Sequence, residues 1–161
     1  MSRRSRLALL LAAPSLATLF GAAPVHAQAR PPAERVQYVR VVAQDYAFEV
    51  PATASEGIVT FHLINQGLDV HQMTIVEMGV GHSLKDFFDA MKSRGQPPAW
   101  TIELGMTPTI QARSEAFLTV RLAPGRYLLS CLIPAKDGRS HVEKGMTALL
   151  TVSPKPVAAR R

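Results

Sequence analysis

Between positions 36 and 153 the chain divides into short β-prone runs, and this punctuation constrains the fold more than any other feature of the sequence. Eight runs are legible: 36–43, 46–50, 58–64, 71–76, 100–104, 116–122, 127–132 and 147–152. Pro51, Gly57, Gly67, Gly105 and Pro124-Gly125 supply the breaks. The clearest run is 58–64, where Val59, Phe61 and Leu63 fall on one face and Thr60, His62 and Ile64 on the other. A period of two marks a strand with one face in a core, and seven or eight such strands at this spacing point to an all-β sandwich or barrel. One segment has a different period. Leu84, Phe87, Phe88 and Met91 recur at i, i+3, i+4 and i+7, with Ser83 and Asp86 placed as a capping box and Gly95 and Pro97-Pro98 as the stop. That stripe is core packing rather than a ligand set. The expected architecture is a β-sandwich with one short helical insertion.

The ends read differently. Arg3, Arg4 and Arg6 precede an apolar run from Leu7 to Phe20 that closes on Val25-His26-Ala27. This is the layout of a secretory signal, with a run too short to span a bilayer comfortably. The expected organisation is a signal peptide over 1–27, a disordered lead-in over 28–35, one domain over 36–153 and a disordered tail over 154–161. The product is then periplasmic or secreted, with no stable membrane insertion after cleavage; Ser2-Arg3-Arg4 leaves the Sec and twin-arginine routes both open. The formal charge of +6 sits mostly in these ends: between Val36 and Ser153 ten Lys/Arg face eleven Asp/Glu, a net of −1. A nucleic-acid protein carries its basic footprint on the folded domain, so that class is excluded.

Cys131 is the sole cysteine. Exported proteins pair their thiols or lose them, so a lone one asks for burial, chemistry or a metal. No hydrolase elbow, phosphate-binding glycine loop or paired carboxylates appear, and no catalysis is expected. What remains is a set of soft donors near the end of the chain: Cys131, His141 and Met146, between the runs 127–132 and 147–152. Adjacent hairpin strands bring Met146 back toward Cys131, with His141 on the connecting loop. A thiolate, an imidazole and a thioether suit copper. His71, which opens an apolar run just after Asn65-Gln66-Gly67, is the candidate fourth ligand. His62 reads as a surface residue, His82 as an exposed loop residue, and Met73, Met78, Met91 and Met106 as further soft donors or core.

With these residues in view the sequence resembles the cupredoxins, the blue-copper fold of plastocyanin and pseudoazurin. The resemblance runs from about Val36 to Ser153. It is sharpest in Asn-Gln-Gly-Leu-Asp-Val-His (65–71) and in Gly-Arg-Tyr-Leu-Leu-Ser-Cys (125–131) followed by His-Val-Glu-Lys-Gly-Met (141–146). It implies an eight-stranded Greek-key sandwich holding one type 1 copper by His71, Cys131 and His141, with Met146 as weak axial ligand. It also implies electron transfer with a redox partner still unidentified; a copper chaperone or buffer and a metal-free interaction module are the alternatives. Two departures stand out. Plastocyanin-like loops read Cys-x-x-His, but Pro134 holds that position and the histidine comes seven residues later; the spacing from His141 to Met146 then matches. Gln72 stands where the family pattern has Asn.

Overall fold

The computed structural model describes residues 33–155. The expected signal peptide, most of the lead-in and the end of the tail lie outside the described residues. Within them are nine strands: β1 (Gln37–Gln44), β2 (Ala47–Glu49), β3 (Thr53–Ser55), β4 (Gly57–Asn65), β5 (Thr74–Met78), β6 (Thr101–Met106), β7 (Glu115–Leu122), β8 (Gly125–Ser130) and β9 (Thr147–Ser153). One helix, α1 (Leu84–Arg94), separates β5 from β6, and a 3-10 turn (Val142–Lys144) precedes β9. No described helix is long and apolar enough to cross a membrane.

The strands form two sheets, ordered β2-β1-β4-β7 and β3-β9-β8-β5-β6. β1 lies parallel to β4 and β3 parallel to β9, so the chain crosses repeatedly between sheets instead of meandering within one. This crossed connectivity belongs to a Greek-key sandwich. The core fills the space between the sheets. From β4 it takes Val59, Phe61 and Leu63, the face legible in the sequence, and from β1 Val39, Val41 and Ala43. Tyr127 and Leu129 of β8 enter the same core, and Cys131, two residues further on, follows their parity into it. The site cysteine is therefore inward-facing by the pleat of its own strand.

The five-stranded sheet is covered on its other face too. Val76, Met78 and Leu128 form a second cluster with Phe87 of α1, and Leu84, Phe88, Met91 and Trp100 pack around it. A sheet buried on both sides needs no alternation, which is why Tyr127-Leu128-Leu129 reads as a continuous apolar run. The helix forms as its sequence predicts. The Ser83 side chain accepts from the Asp86 amide while the Asp86 carboxylate accepts from Ser83, and Gly95 closes the helix in a left-handed conformation at φ 66°.

Three features differ from the sequence-based expectation. There are nine strands rather than eight, because the three-residue β3 gains strand character only by pairing with the end of β9. The run expected to begin at His71 begins at Thr74; His71 instead makes an isolated bridge with Ile110. Gly105 is no break but lies inside β6, opposite Ile75, where the register shifts before Val76. A glycine within a strand marks such a bulge.

The turn from β7 to β8 is pinned by Tyr127, whose hydroxyl donates to Ala123 O at 2.8 Å and accepts from Ala123 N at 3.1 Å. Tyr127 is fully buried. Tyr127→Phe leaves two main-chain groups without that partner, and the expected loss is about 1–3 kcal/mol in denaturant unfolding. An unchanged midpoint at constant slope would show that water replaces the hydroxyl.

Candidate metal centre

Three segments meet at one end of the sandwich. The first is the loop from Asn65 to His71, between β4 and β5. Asn65 is buried and folds this loop onto itself: its Oδ1 accepts from Gly67 N at 2.9 Å, and its Nδ2 donates to Asp69 O at 2.8 Å and Ile110 O at 3.4 Å. His71 is locked by its main chain, with its N–H donating to Ile110 O at 3.0 Å and its carbonyl accepting from Ile110 N at 2.8 Å.

The second segment is the end of β8. Cys131 N donates to Met146 O at 3.2 Å, which joins the two ends of the following loop. The amides of Gln72 and Ile133 donate to the Cys131 sulfur. Burial pushes the thiol up from its ordinary pKa, and these two amides oppose it. Gln72 thus reaches the cysteine through its backbone, so the main chain makes a contact that any residue at 72 would supply.

The third segment is the loop from Cys131 to Met146, which holds the seven additional residues. They close into a small hairpin: Pro134 bridges Ser140, Ala135 N donates to Arg139 O at 2.8 Å, and Gly138 N donates to Ala135 O at 2.9 Å. At its neck His141 N donates to Ile133 O at 2.8 Å. Glu143 accepts from the amide and hydroxyl of Ser140, and Lys144 pairs with Asp137 at 2.6 Å. The extra length is pinched off, and His141 returns to the cysteine despite it. Met146 N then donates to His141 O at 2.9 Å.

The result is a buried cluster. One ligand atom each from His71, Cys131 and His141 lies within 4.8 Å of the others. The Nδ1 atoms of His71 and His141 face each other at 3.1 Å, and Cys131 Sγ is 3.4 Å from His141 Nδ1. Two nitrogens bound to one ion at about 2.05 Å and a tetrahedral angle stand about 3.3 Å apart, and a sulfur at about 2.3 Å stands about 3.5 Å from either. Both observed edges match. His71 Nε2 donates to Asp45 Oδ1 at 2.8 Å, which in the neutral ring leaves Nδ1 as the lone-pair nitrogen. Burial is the main cause that holds the His141 pKa below its ordinary value, and a proton on the neighbouring His71 would act in the same direction. A buried cysteine with two imidazoles is the donor set around which a type 1 copper site is built. Met146 is fully buried in the same core cluster as Cys131.

Other sequence candidates are elsewhere. His82 stacks on Trp100 with ring centroids 4.1 Å apart, and His62 stacks on Phe117 at 4.3 Å and pairs with Glu115 at 2.7 Å. Met73 and Met78 are core, Met91 packs under α1 and Met106 is half-exposed. Sequence reasoning missed Asp45 and Tyr46, in the turn from β1 to β2. The Tyr46 ring lies 4.6 Å from that of His141, its hydroxyl donates to Asp69 at 2.7 Å, and Lys144 Nζ sits 4.8 Å from its centroid. The bond to Asp69 pushes the Tyr46 pKa up to about 12. On the solvent side a hollow of about 280 Å³, lined by Leu68, Val70, Pro134 and Lys136 among others, reaches His141.

No family model and no curated protein matches the sequence. Solved structures do. Dithionite-reduced auracyanin from the photosynthetic bacterium Roseiflexus castenholzii aligns with a TM-score of 0.53 at 22% identity, over 73% of this chain and 98% of that one. Auracyanin B aligns at 0.48 and 23%, over 74% and 88%. Auracyanin A from Chloroflexus aurantiacus, described as a "blue" copper protein, aligns at 0.49 and 19%, over 74% and 100%. The first of these carries the comparison, and the fold it establishes is the cupredoxin β-sandwich.

Asn65→Ala removes three hydrogen bonds from the loop that carries His71. It is expected to cost about 1–3 kcal/mol in unfolding free energy. It should also broaden the imidazole NMR signals of His71; a sharp, unshifted His71 ring would show that the Ile110 bridge alone holds it.

Proposed function

We propose that this chain binds one copper ion through His71, Cys131 and His141, with Met146 as a weak axial ligand, and works as an electron carrier. The observation that carries this reading is the pair of ring nitrogens 3.1 Å apart. His71 Nδ1 offers a lone pair, and His141 Nδ1 meets both it and the thiol. Three buried donor atoms thus converge where only one or two protons are available to share. A cation at their centre satisfies all three at once. A soft thiolate with two imidazoles selects copper, which when bound supplies a one-electron couple.

The protein's own part is to hold the ligands still. Main-chain hydrogen bonds fix His71, Cys131 and His141, so their positions do not depend on the oxidation state of an ion. The two amides that donate to the Cys131 sulfur stabilise its anionic form and temper its donation. Burial keeps water out: the three residues are 0%, 0% and 1% exposed. Electrons enter or leave at the hollow beside His141, where a redox partner reaches the site edge without touching the ion. The N-terminal pattern read as an export signal supports a periplasmic or secreted setting for this activity. A copper-handling role would draw on further accessible methionines, yet Met73 and Met78 are buried, Met91 packs against the second core cluster, and of these four Met106 alone is exposed.

Copper(II) added to the purified mature protein should give an intense thiolate-to-copper absorption in the visible, in a one-to-one titration. Cys131→Ala abolishes tight binding and the colour. Met146→Leu keeps both but raises the reduction potential; loss of copper in that variant would sink the axial assignment. A colourless protein that binds copper(I) alone would make it a copper chaperone, and no binding an interaction module. Removing the copper with a chelator should lower unfolding stability by about 4 kcal/mol when free copper had stood near a thousand times Kd.

A further inference from the structure

Asp45 sits in the turn from β1 to β2, outside the loops that supply the ligands. Its carboxylate accepts His71 Nε2–H at 2.8 Å, Leu68 N at 2.8 Å and Asp69 N at 3.2 Å. It therefore grips both the imidazole and the loop that delivers it. Gly67 lies against the same contact. A Cβ there would run into the Asp45 carboxylate and His71 Nε2, so the glycine is required for space. Asp45 is only partly exposed and His71 is buried, so water competes weakly for this bond.

We infer that Asp45 is the positioning residue of the centre, holding His71 as its Nε2–H tautomer with Nδ1 turned toward His141 Nδ1 before any ion enters. A carboxylate on the remote nitrogen of a ligating histidine fixes ring orientation and raises ligand basicity. Asp45 does so from a separate strand pair, tying the ligand loop to the four-stranded sheet. Gly67 makes the approach possible.

The test begins on the metal-free full chain, labelled with nitrogen-15, by imidazole NMR. Wild type is expected to show His71 protonated at Nε2, with that proton protected from solvent exchange. Asp45→Ala loses the protection and mixes the tautomers. Gly67→Ala, which keeps the carboxylate but pushes it away, does the same. Asp45→Asn, which keeps the acceptor oxygen without the charge, restores the signal and guards against a result caused by misfolding. A wild-type His71 protonated at Nδ1, or an Asp45→Ala protein with an unchanged tautomer and exchange rate, overturns the inference. The second arm rests on the copper reading: Asp45→Ala should weaken copper binding by about 10–100-fold, with Asp45→Asn close to wild type in affinity but higher in reduction potential. An affinity for copper unchanged in Asp45→Ala overturns the inference as well. Should wild type bind no copper while its metal-free tautomer is as expected, the copper reading falls and the Asp45–His71 assignment stands.

Discussion

A single main-chain hydrogen bond of 2.8 Å, from His141 N to Ile133 O, fixes where the second imidazole can be. Without it the fourteen residues between Cys131 and Met146 would be an ordinary open loop, and His141 would sample a wide volume of solvent. With it, and with Cys131 N bonded to Met146 O, the path is stitched at two levels. The lower stitch continues the pairing of β8 with β9, and the upper one starts the hairpin. His141, itself the donor of the upper stitch, is held there against the sulfur. Everything chemical in the molecule follows from that placement.

The sandwich contributes a rigid, dry floor. Cys131 and Met146 belong to the same core cluster as Phe61, Leu63 and Leu129. Donor atoms buried among such side chains are costly unless each finds a partner. Cys131, His71 and His141 each find one: amides on the sulfur, a carboxylate on the outer nitrogen of His71, the rings on each other. The segments that carry these residues are tied by main-chain hydrogen bonds to close-packed strands, which leaves them little freedom to rearrange.

Much of this was legible beforehand, and the pattern of hits and misses has a physical reason. The inner face of β4 could be named from alternation, since one face of that strand meets the core. The capping box and the left-handed stop of α1 could be named because caps are local chemistry. Copper ligands in the order His71, Cys131, His141 could be proposed from donor type and the cupredoxin resemblance, and the structure brings those three together. Three-residue β3 could not be found, because its strand character comes from a partner about a hundred residues away. The start at His71 was misplaced because an isolated bridge to Ile110 looks, in sequence, like the first rung of a ladder. Asp45 and Tyr46 left no signal at all: an acidic residue and an aromatic in a turn are unremarkable until the fold sets them beside two histidines. The long Cys–His spacing stood out in the sequence only as a departure from the family pattern, and the pinched neck shows how the excess is stored.

That pinched neck separates two things that evolution or an engineer would wish to vary apart. Residues 134–140 stand outside the stitches, so the tip around Asp137-Gly138 can lengthen or change composition at an entropic cost that grows only with the logarithm of its length. The ligand positions, set below, need not follow. The rim of the hollow beside His141, formed in part by Pro134, Ala135 and Lys136, is thereby free to be re-sculpted while the cluster of His71, Cys131 and His141 keeps its geometry.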